Sequence, residues 1–231
     1  AHQSMMTASI GVEMPQLDAY EPCFGQELEW IMLSALHQIR KRGQSTYLRL
    51  TSKPVDQNLL QLPTEASQIE SLRLQVLRGA YCLRDRTSDF SSSVNGSGIT
   101  IVSVGAMIPE ACEASDILLE EGVLANVINV TGPGPLYRHY RDLVKESIEK
   151  GYGLSEGLAT LLPGHIDGVP ILTLADAHPH SLSWVGGAVG SKTVSLGVDD
   201  WGQSGSREDL YREYGTDVET IVNAALSALE L

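Results

Sequence analysis

Asp176, His178 and His180 alternate along the chain, so an extended segment would turn all three to one side, a spacing that suits metal ligands. No fourth ligand is recognisable nearby, and Pro179 breaks the run ahead of a helix, so a strand end entering a loop is the simpler reading. Asp199 and Asp200 adjoin as paired acids would. Acid–base work needs burial to separate two carboxyl pKa values, and the glycines that follow mark a solvated turn, so both are expected to form the turn. Gly186-Gly187-Ala188-Val189-Gly190 lacks the spacing of a dinucleotide fingerprint. Gly132-Pro133-Gly134-Pro135 stands between a strand and a helix, where free amides meet anions, but its prolines remove two donors and no Lys-Ser or Lys-Thr follows. Both clusters read as turns, as does Gly105. His2, beside Gln3, carries an imidazole able to exchange protons near neutrality, but by its place alone it reads as an exposed residue. His37, His139 and His165 have no partner in local sequence and are expected at the surface or an interface. Cys23, Cys82 and Cys112 are odd in number and far apart, which predicts free thiols in a reducing compartment rather than disulfides or a zinc site.

The elements that would position these residues follow from hydrophobic periodicity. Gln26 to Arg42 predicts an amphipathic helix, with Leu28, Ile31, Met32, Ala35, Leu36 and Ile39 at helical spacing. Gly43 ends it, and Ser45 to Thr51 reads as a strand. One helix and one strand cannot bury each other's apolar faces, so residues 1–53 are expected to need a sheet from elsewhere, as a fragment or one subunit of a split enzyme would. Residues 54–78, with Pro54 and Pro63, read as a linker with a short helical turn. From Gly79 onward strands alternate with helices. Ala80 to Arg84 is an edge strand, and Gly98 to Val104 is a continuous apolar strand of the kind covered on both faces. Further strands are expected at Asn126 to Val130, Val169 to Leu174 and Lys192 to Val198. Helices are expected from Pro109 to Glu121, Pro135 to Lys150, His180 to Val189, Arg207 to Tyr214 and Val218 to Leu229, the last capped by Asp217. The expected fold class is α/β: a three-layer domain over residues 79–231 with a mostly parallel sheet, one antiparallel edge strand, and helices on both faces.

The 231 residues suffice for a full core, and 42% of them are apolar with no stretch long enough to span a bilayer. No signal peptide is visible at Ala1-His2-Gln3-Ser4, and the expectation is a cytoplasmic protein. A net charge of −13 argues against nucleic acid, because phosphate binding needs a cationic footprint.

The most informative run is Leu196-Gly197-Val198-Asp199-Asp200-Trp201-Gly202-Gln203-Ser204-Gly205-Ser206-Arg207-Glu208-Asp209-Leu210. Physically it is a strand, a turn and a helix start, with Ser206 and Asp209 placed as a capping box. Its wording resembles the C-terminal signature of thiamine-diphosphate enzymes of the transketolase superfamily, and is most similar to the homodimeric E1 component of pyruvate dehydrogenase. His2-Gln3, Ser9-Ile10, Pro15 and Tyr20-Glu21-Pro22 resemble the end of the pyrimidine-binding domain of such enzymes, which assigns residues 1–53 to that domain. The resemblance implies that His2 lines the substrate channel over the thiazolium ring as a catalytic residue. It further implies thiamine diphosphate and Mg²⁺ for the parent enzyme. They would be held by an N-terminal domain with a Gly-Asp-Gly motif that this sequence lacks, so no cofactor is expected on this chain alone. Where transketolases carry a sugar-phosphate-gripping arginine, this chain has Ser52, followed by Lys53, a point charge without the guanidinium fork. The resulting expectation is part of a 2-oxo-acid dehydrogenase E1 that decarboxylates pyruvate and passes the acyl unit to lipoamide, the chain alone being inactive. Its implied partners are a second copy of itself, the N-terminal domains and a lipoyl-bearing E2 acyltransferase. Transketolase activity on sugar phosphates, or a non-catalytic assembly or regulatory module, stands as the alternative.

Overall fold

The structure is a computed structural model that describes residues 6–87, 97–151, 153, 158 and 160–230. It begins with a short helix, α1 (Ile10–Glu13), and a two-stranded parallel sheet of β1 (Leu17–Tyr20) and β2 (Ser45–Leu48), joined by the long helix α2 (Gly25–Arg42). One face of α2 buries Trp30 and Ile31. On the other, Met32, Leu33, Leu36 and Ile39 are left about half exposed. The spacing of apolar residues thus foretells the helix, while only part of that stripe finds anything to pack on.

Residues 66–78 depart from the expected linker, forming the helix α3 (Ala66–Arg78). Ile69, Leu72 and Val76 recur at helical spacing and pack, with Leu77, against Trp30, Ile31 and Tyr81. Pro63 lies ahead of the helix, where it breaks nothing. The helix ends at Gly79, whose φ of +111° and closeness to the Gly132 carbonyl, 2.4 Å from where a Cβ would sit, suit glycine alone.

The larger body is a five-stranded sheet of β3 (Ala80–Arg84), β4 (Gly98–Val104), β5 (Leu124–Val130), β6 (Ile171–Leu174) and β7 (Thr193–Leu196), in the order β3-β5-β4-β6-β7. β4, β5, β6 and β7 are parallel, and β3 is the antiparallel edge strand expected from sequence. Every residue of β4 and β5 is buried, as continuous apolar strands require. Alternate side chains serve opposite layers. Ile99 and Ile101 pack with α4 (Ile108–Glu120) and α8 (Val218–Leu229). Val102 and Val104 face α5 (Pro133–Lys150) and α6 (His180–Val189). A side chain of this size contributes about 1.5–3 kcal/mol when fully buried, so the three-layer core is the main source of stability.

The glycine clusters belong to helices rather than turns. Pro133 and Gly134 open α5, where a missing proline N–H costs nothing, and Gly186 and Gly187 lie inside α6. A Cβ on Gly186 would run into the Thr193 side chain, so this glycine allows close helix–strand packing. Asp217 caps α8 by accepting from the Thr220 amide. Among the described residues no helix is long and apolar enough to cross a membrane.

Candidate functional site

Strand order reverses between β4 and β6: the chain runs from β4 to β5 on one side and from β6 to β7 on the other. Such a reversal opens a crevice at the carboxyl ends of the strands, here beside Ala106 and Asp176. A cleft of ≈ 610 Å³ lies there. The segment after β2 forms one wall through Arg49, Thr51, Ser52 and Lys53, and the loop from Gly202 to Gly205 forms another. Behind that loop stands α7 (Arg207–Glu213), capped by Ser206, whose Oγ accepts from the Asp209 amide and donates to the Asp209 carboxylate. The informative sequence run is therefore a wall of the cleft.

Two cations tie the N-terminal segment across the crevice. Arg49 donates to Glu21 at 2.7 Å and to the Asp176 carbonyl oxygen at 2.6 Å, with the Asp176 carboxylate 3.8 Å away. Lys53 donates to the Ala106 carbonyl oxygen at 2.9 Å and to Glu110 Oε2 at 2.6 Å, and lies 5.2 Å from the Tyr211 ring centroid. Burial pushes the carboxyls of Glu21 and Asp176 upward, and the guanidinium of Arg49 partly offsets this. Burial likewise raises the Tyr211 phenol to about 12. Both cations are committed to protein oxygens, Lys53 with only 10% of its side chain exposed.

A second polar cluster lies where α2 meets the large sheet. The fully buried carboxylate of Glu27 accepts from the amides of Cys23 and Phe24, from the Tyr81 hydroxyl and from the Asn129 side-chain amide, at 2.7–2.9 Å. Burial outweighs these four donated bonds and raises its pKa to about 7. Arg138 adds a joint by pairing with Asp18 and donating to the Leu17 carbonyl oxygen, and the Glu21 amide donates to that of Thr131.

The residues singled out from sequence fare unevenly. His2 lies outside the described residues. His178 and His180 do meet, but through a hydrogen bond between their Nδ1 atoms at 2.6 Å, with His180 Nε2 on the Ser9 hydroxyl at 2.7 Å. Asp176 turns instead to Arg49. Among the described residues no group of three His, Cys, Asp or Glu side chains could hold a metal. Asp199 and Asp200 are exposed turn residues, as expected, and Asp200 accepts from the Trp201 amide. His165 is not a surface residue without partners: half-buried, it bonds Thr100 Oγ1 at 3.0 Å and Ser191 Oγ at 3.1 Å, and burial lowers its pKa. All three cysteines are free thiols raised by burial. Sequence reasoning missed Glu27 because its capping partner Phe24 has no polar side chain to announce a box. It missed Arg49 because the oxygens this residue binds lie 28 and 127 residues away.

A family model described as the transketolase-like C-terminal domain matches residues 79–217, the body that carries the large sheet and the motif wall. The chain belongs to this family. Over 98% of its length it is 27% identical to a pyruvate dehydrogenase E1 component of Mycolicibacterium smegmatis, and over 99% it is 25% identical to a chromosomal transketolase of Cupriavidus necator. It spans about a quarter of the length of these relatives, 23% and 28% respectively. Among solved structures, transketolase from Leishmania mexicana superposes with a TM-score of 0.65 at 20% identity, covering 99% of this chain and 28% of that one. A split-gene transketolase, solved as an inactive β4 tetramer, gives a TM-score of 0.60 at 17% identity over 100% of this chain and 63% of that one. At these identities the superpositions speak for the fold. The relatives are enzymes of the thiamine-diphosphate-dependent transketolase superfamily, and transketolase is the name that predominates among them.

Proposed function

We propose that this chain is the C-terminal part of a thiamine-diphosphate-dependent enzyme of the transketolase superfamily that moves a two-carbon ketol unit between sugar phosphates. The observation that carries this reading is the match of relatives over nearly the whole chain, most of them transketolases. The coenzyme supplies a thiazolium carbanion when bound, and the protein positions it. The diphosphate and its Mg²⁺ would be held in another part of the enzyme, by the N-terminal domain that the resemblance implies. This chain's own contribution is the wall beside the substrate path. His2 would exchange a proton with, or hold charge on, the substrate oxygen. Arg49 and Lys53 hold the segment that carries Ser52 against the large sheet. A homodimer is part of the same reading.

A second reading has its own observation. Lys53 is locked onto Glu110 and Ala106, and Ser52 beside it has no cationic head, so neither is set to grip a sugar phosphate. That favours a small 2-oxo acid such as pyruvate, with the acyl unit passing to lipoamide on an acyltransferase partner, as the name of the M. smegmatis relative also suggests.

Assays of the complete enzyme with thiamine diphosphate and Mg²⁺ separate the two. Turnover of a ketose phosphate with an aldose phosphate supports the first, pyruvate decarboxylation the second, and neither would refute both. His2→Ala should lower kcat by roughly a hundredfold or more, the usual weight of one positioned acid–base group, and unchanged kinetics would remove His2 from the site.

A further inference from the structure

The carboxyl of Glu27 has no part in the two-carbon reaction, yet it is completely buried where the N-terminal body meets the large sheet. We propose that Glu27, Asn129 and Tyr81 form a proton-operated joint: a proton on the carboxyl holds the N-terminal body against the large sheet, and its loss loosens that body and the cleft wall it carries. The first observation behind this is placement. Glu27 lies in the first turn of α2 and reaches Tyr81 on β3 and Asn129 on β5, 54 and 102 residues away. Its other oxygen takes the amides of Cys23 and Phe24. These follow closely on Glu21, which holds Arg49 of the cleft wall at 2.7 Å. A change at Glu27 is thus passed to the cleft through residues 21–24.

The second observation is a pair of orphaned oxygens. Asn129 Oδ1 is buried without a hydrogen-bond partner among the described residues, and so is Ser103 Oγ, on the residue paired with Asn129 across β4 and β5. An ionised carboxylate only accepts, whereas a protonated one also needs an acceptor. Rotating the Asn129 amide by half a turn supplies it. Oδ1 then takes the place of Nδ2, 2.7 Å from Glu27 Oε1, and the Ser103 hydroxyl on the neighbouring strand is an acceptor for the freed Nδ2. The joint therefore has one network for each protonation state, and the two differ in charge. Around the carboxyl stand Tyr81 on β3, Cys23 ahead of α2 and the neutral amide of Asn129, while α3 meets this region through the apolar Ile69, Leu72 and Val76. Burial raises the Tyr81 phenol and the Cys23 thiol, so both stay neutral. Lys53, Glu110 and the Cys112 thiol act on Cys23 from its other side, and Lys53 and Glu110 pair with each other. Among the described residues no cation pairs with Glu27, so its ionised form is a buried charge without a counter-charge. Its carboxyl is accordingly raised to about 7.

The test is hydrogen exchange of the full chain from about pH 5.5 to about pH 8.5, each amide being referred to its own unstructured rate. As pH rises through this range, α2 and β1 are expected to lose protection by about tenfold or more, while β4 and β5 keep theirs. Glu27→Gln copies the protonated carboxyl and should hold α2 and β1 protected throughout. In the parent chain, the carboxyl carbon signal of Glu27 and the side-chain amide signals of Asn129 should titrate in nuclear magnetic resonance with one shared midpoint near 7. Unchanged protection of α2 across the range overturns the joint. A pH dependence that survives in Glu27→Gln belongs to another group and overturns it equally. If that variant fails to fold, the carboxyl signal of the parent decides, and a midpoint below about pH 5 sinks the proposal. Asn129 signals that stay constant while the carboxyl titrates overturn the amide rotation. None of these readouts depends on turnover, so the two-carbon reading survives or fails on its own assay.

Discussion

The two sheets of this chain are stabilised in opposite ways. The five-stranded sheet fills both its faces mostly from its own sequence: β4 and β5 are buried throughout, and α4, α5, α6 and α8 cover the two layers, with Cys23 and Phe24 the buried additions from the N-terminal segment. The two-stranded sheet buries little of its own. Tyr20, Trp30 and Ile31 complete their packing with Val76 and Tyr81 from outside it, and half of α2 presents apolar side chains to solvent. Packing is cooperative and local in the first body. In the second, order is held through a few polar joints, which are strong only while every partner is in place. A unit held in this way is expected to open separately from its neighbour.

The contrast can be broken at its strongest point by Ile101→Ala in β4. A cavity in a fully buried layer should cost about 4 kcal/mol and lower global stability to denaturant, with protection of the large-sheet elements falling together. Glu27→Ala attacks the other side. It removes the shared acceptor of four buried donors, of which only the Asn129 amide keeps another partner, the Tyr81 hydroxyl, and should cost about 3 kcal/mol, expressed locally. Hydrogen exchange should accelerate in α2 and β1 while β4 and β5 stay protected, and uniform acceleration would refute the division. Glu27 further predicts a pH effect with a definite sign. Its carboxyl is raised from 4.5 to about 7 in the folded chain, so the folded state holds the proton more tightly than the unfolded one. The stabilisation this brings is complete below about pH 4.5 and is lost as pH rises towards 7, by up to about 3 kcal/mol. Subtracting the stability curve of Glu27→Gln from that of the parent isolates this slope, which should be absent in the variant. Smallest of all is Leu36→Gln on the exposed side of α2. It should change the melting free energy of this chain by no more than about 0.5 kcal/mol, as at a surface position, and a larger loss would mean that the stripe is covered in solution.

Periodicity made most elements legible. The alternation of strands and helices after Gly79, the antiparallel edge at Ala80 to Arg84 and the Asp217 cap follow from residues within a few positions of one another. Residues 66–78 were hidden because their apolar side chains are thinned by polar ones and preceded by two prolines. The helix is stabilised by packing on Trp30 and Tyr81, which no local pattern reveals. The candidate site was half visible. Its motif wall stood out as wording, but the residues that close the cleft did not, and the Asp176–His178–His180 run, read as a strand end entering a loop, gave no sign that Asp176 faces Arg49.

What the amino-acid order determined alone is the set of helices and strands from Gly79 onward and the capped turn from Leu196 to Leu210, because burial period and capping are properties of near neighbours. What only the tertiary structure decided is which charges are spent and which are open. Arg49 finds Asp176 across 127 residues, Glu27 finds Asn129 across 102, and Arg207 is left exposed at the cleft. Side chains so far apart in sequence are brought together only when the sheets close, and no local pattern encodes which of them will meet.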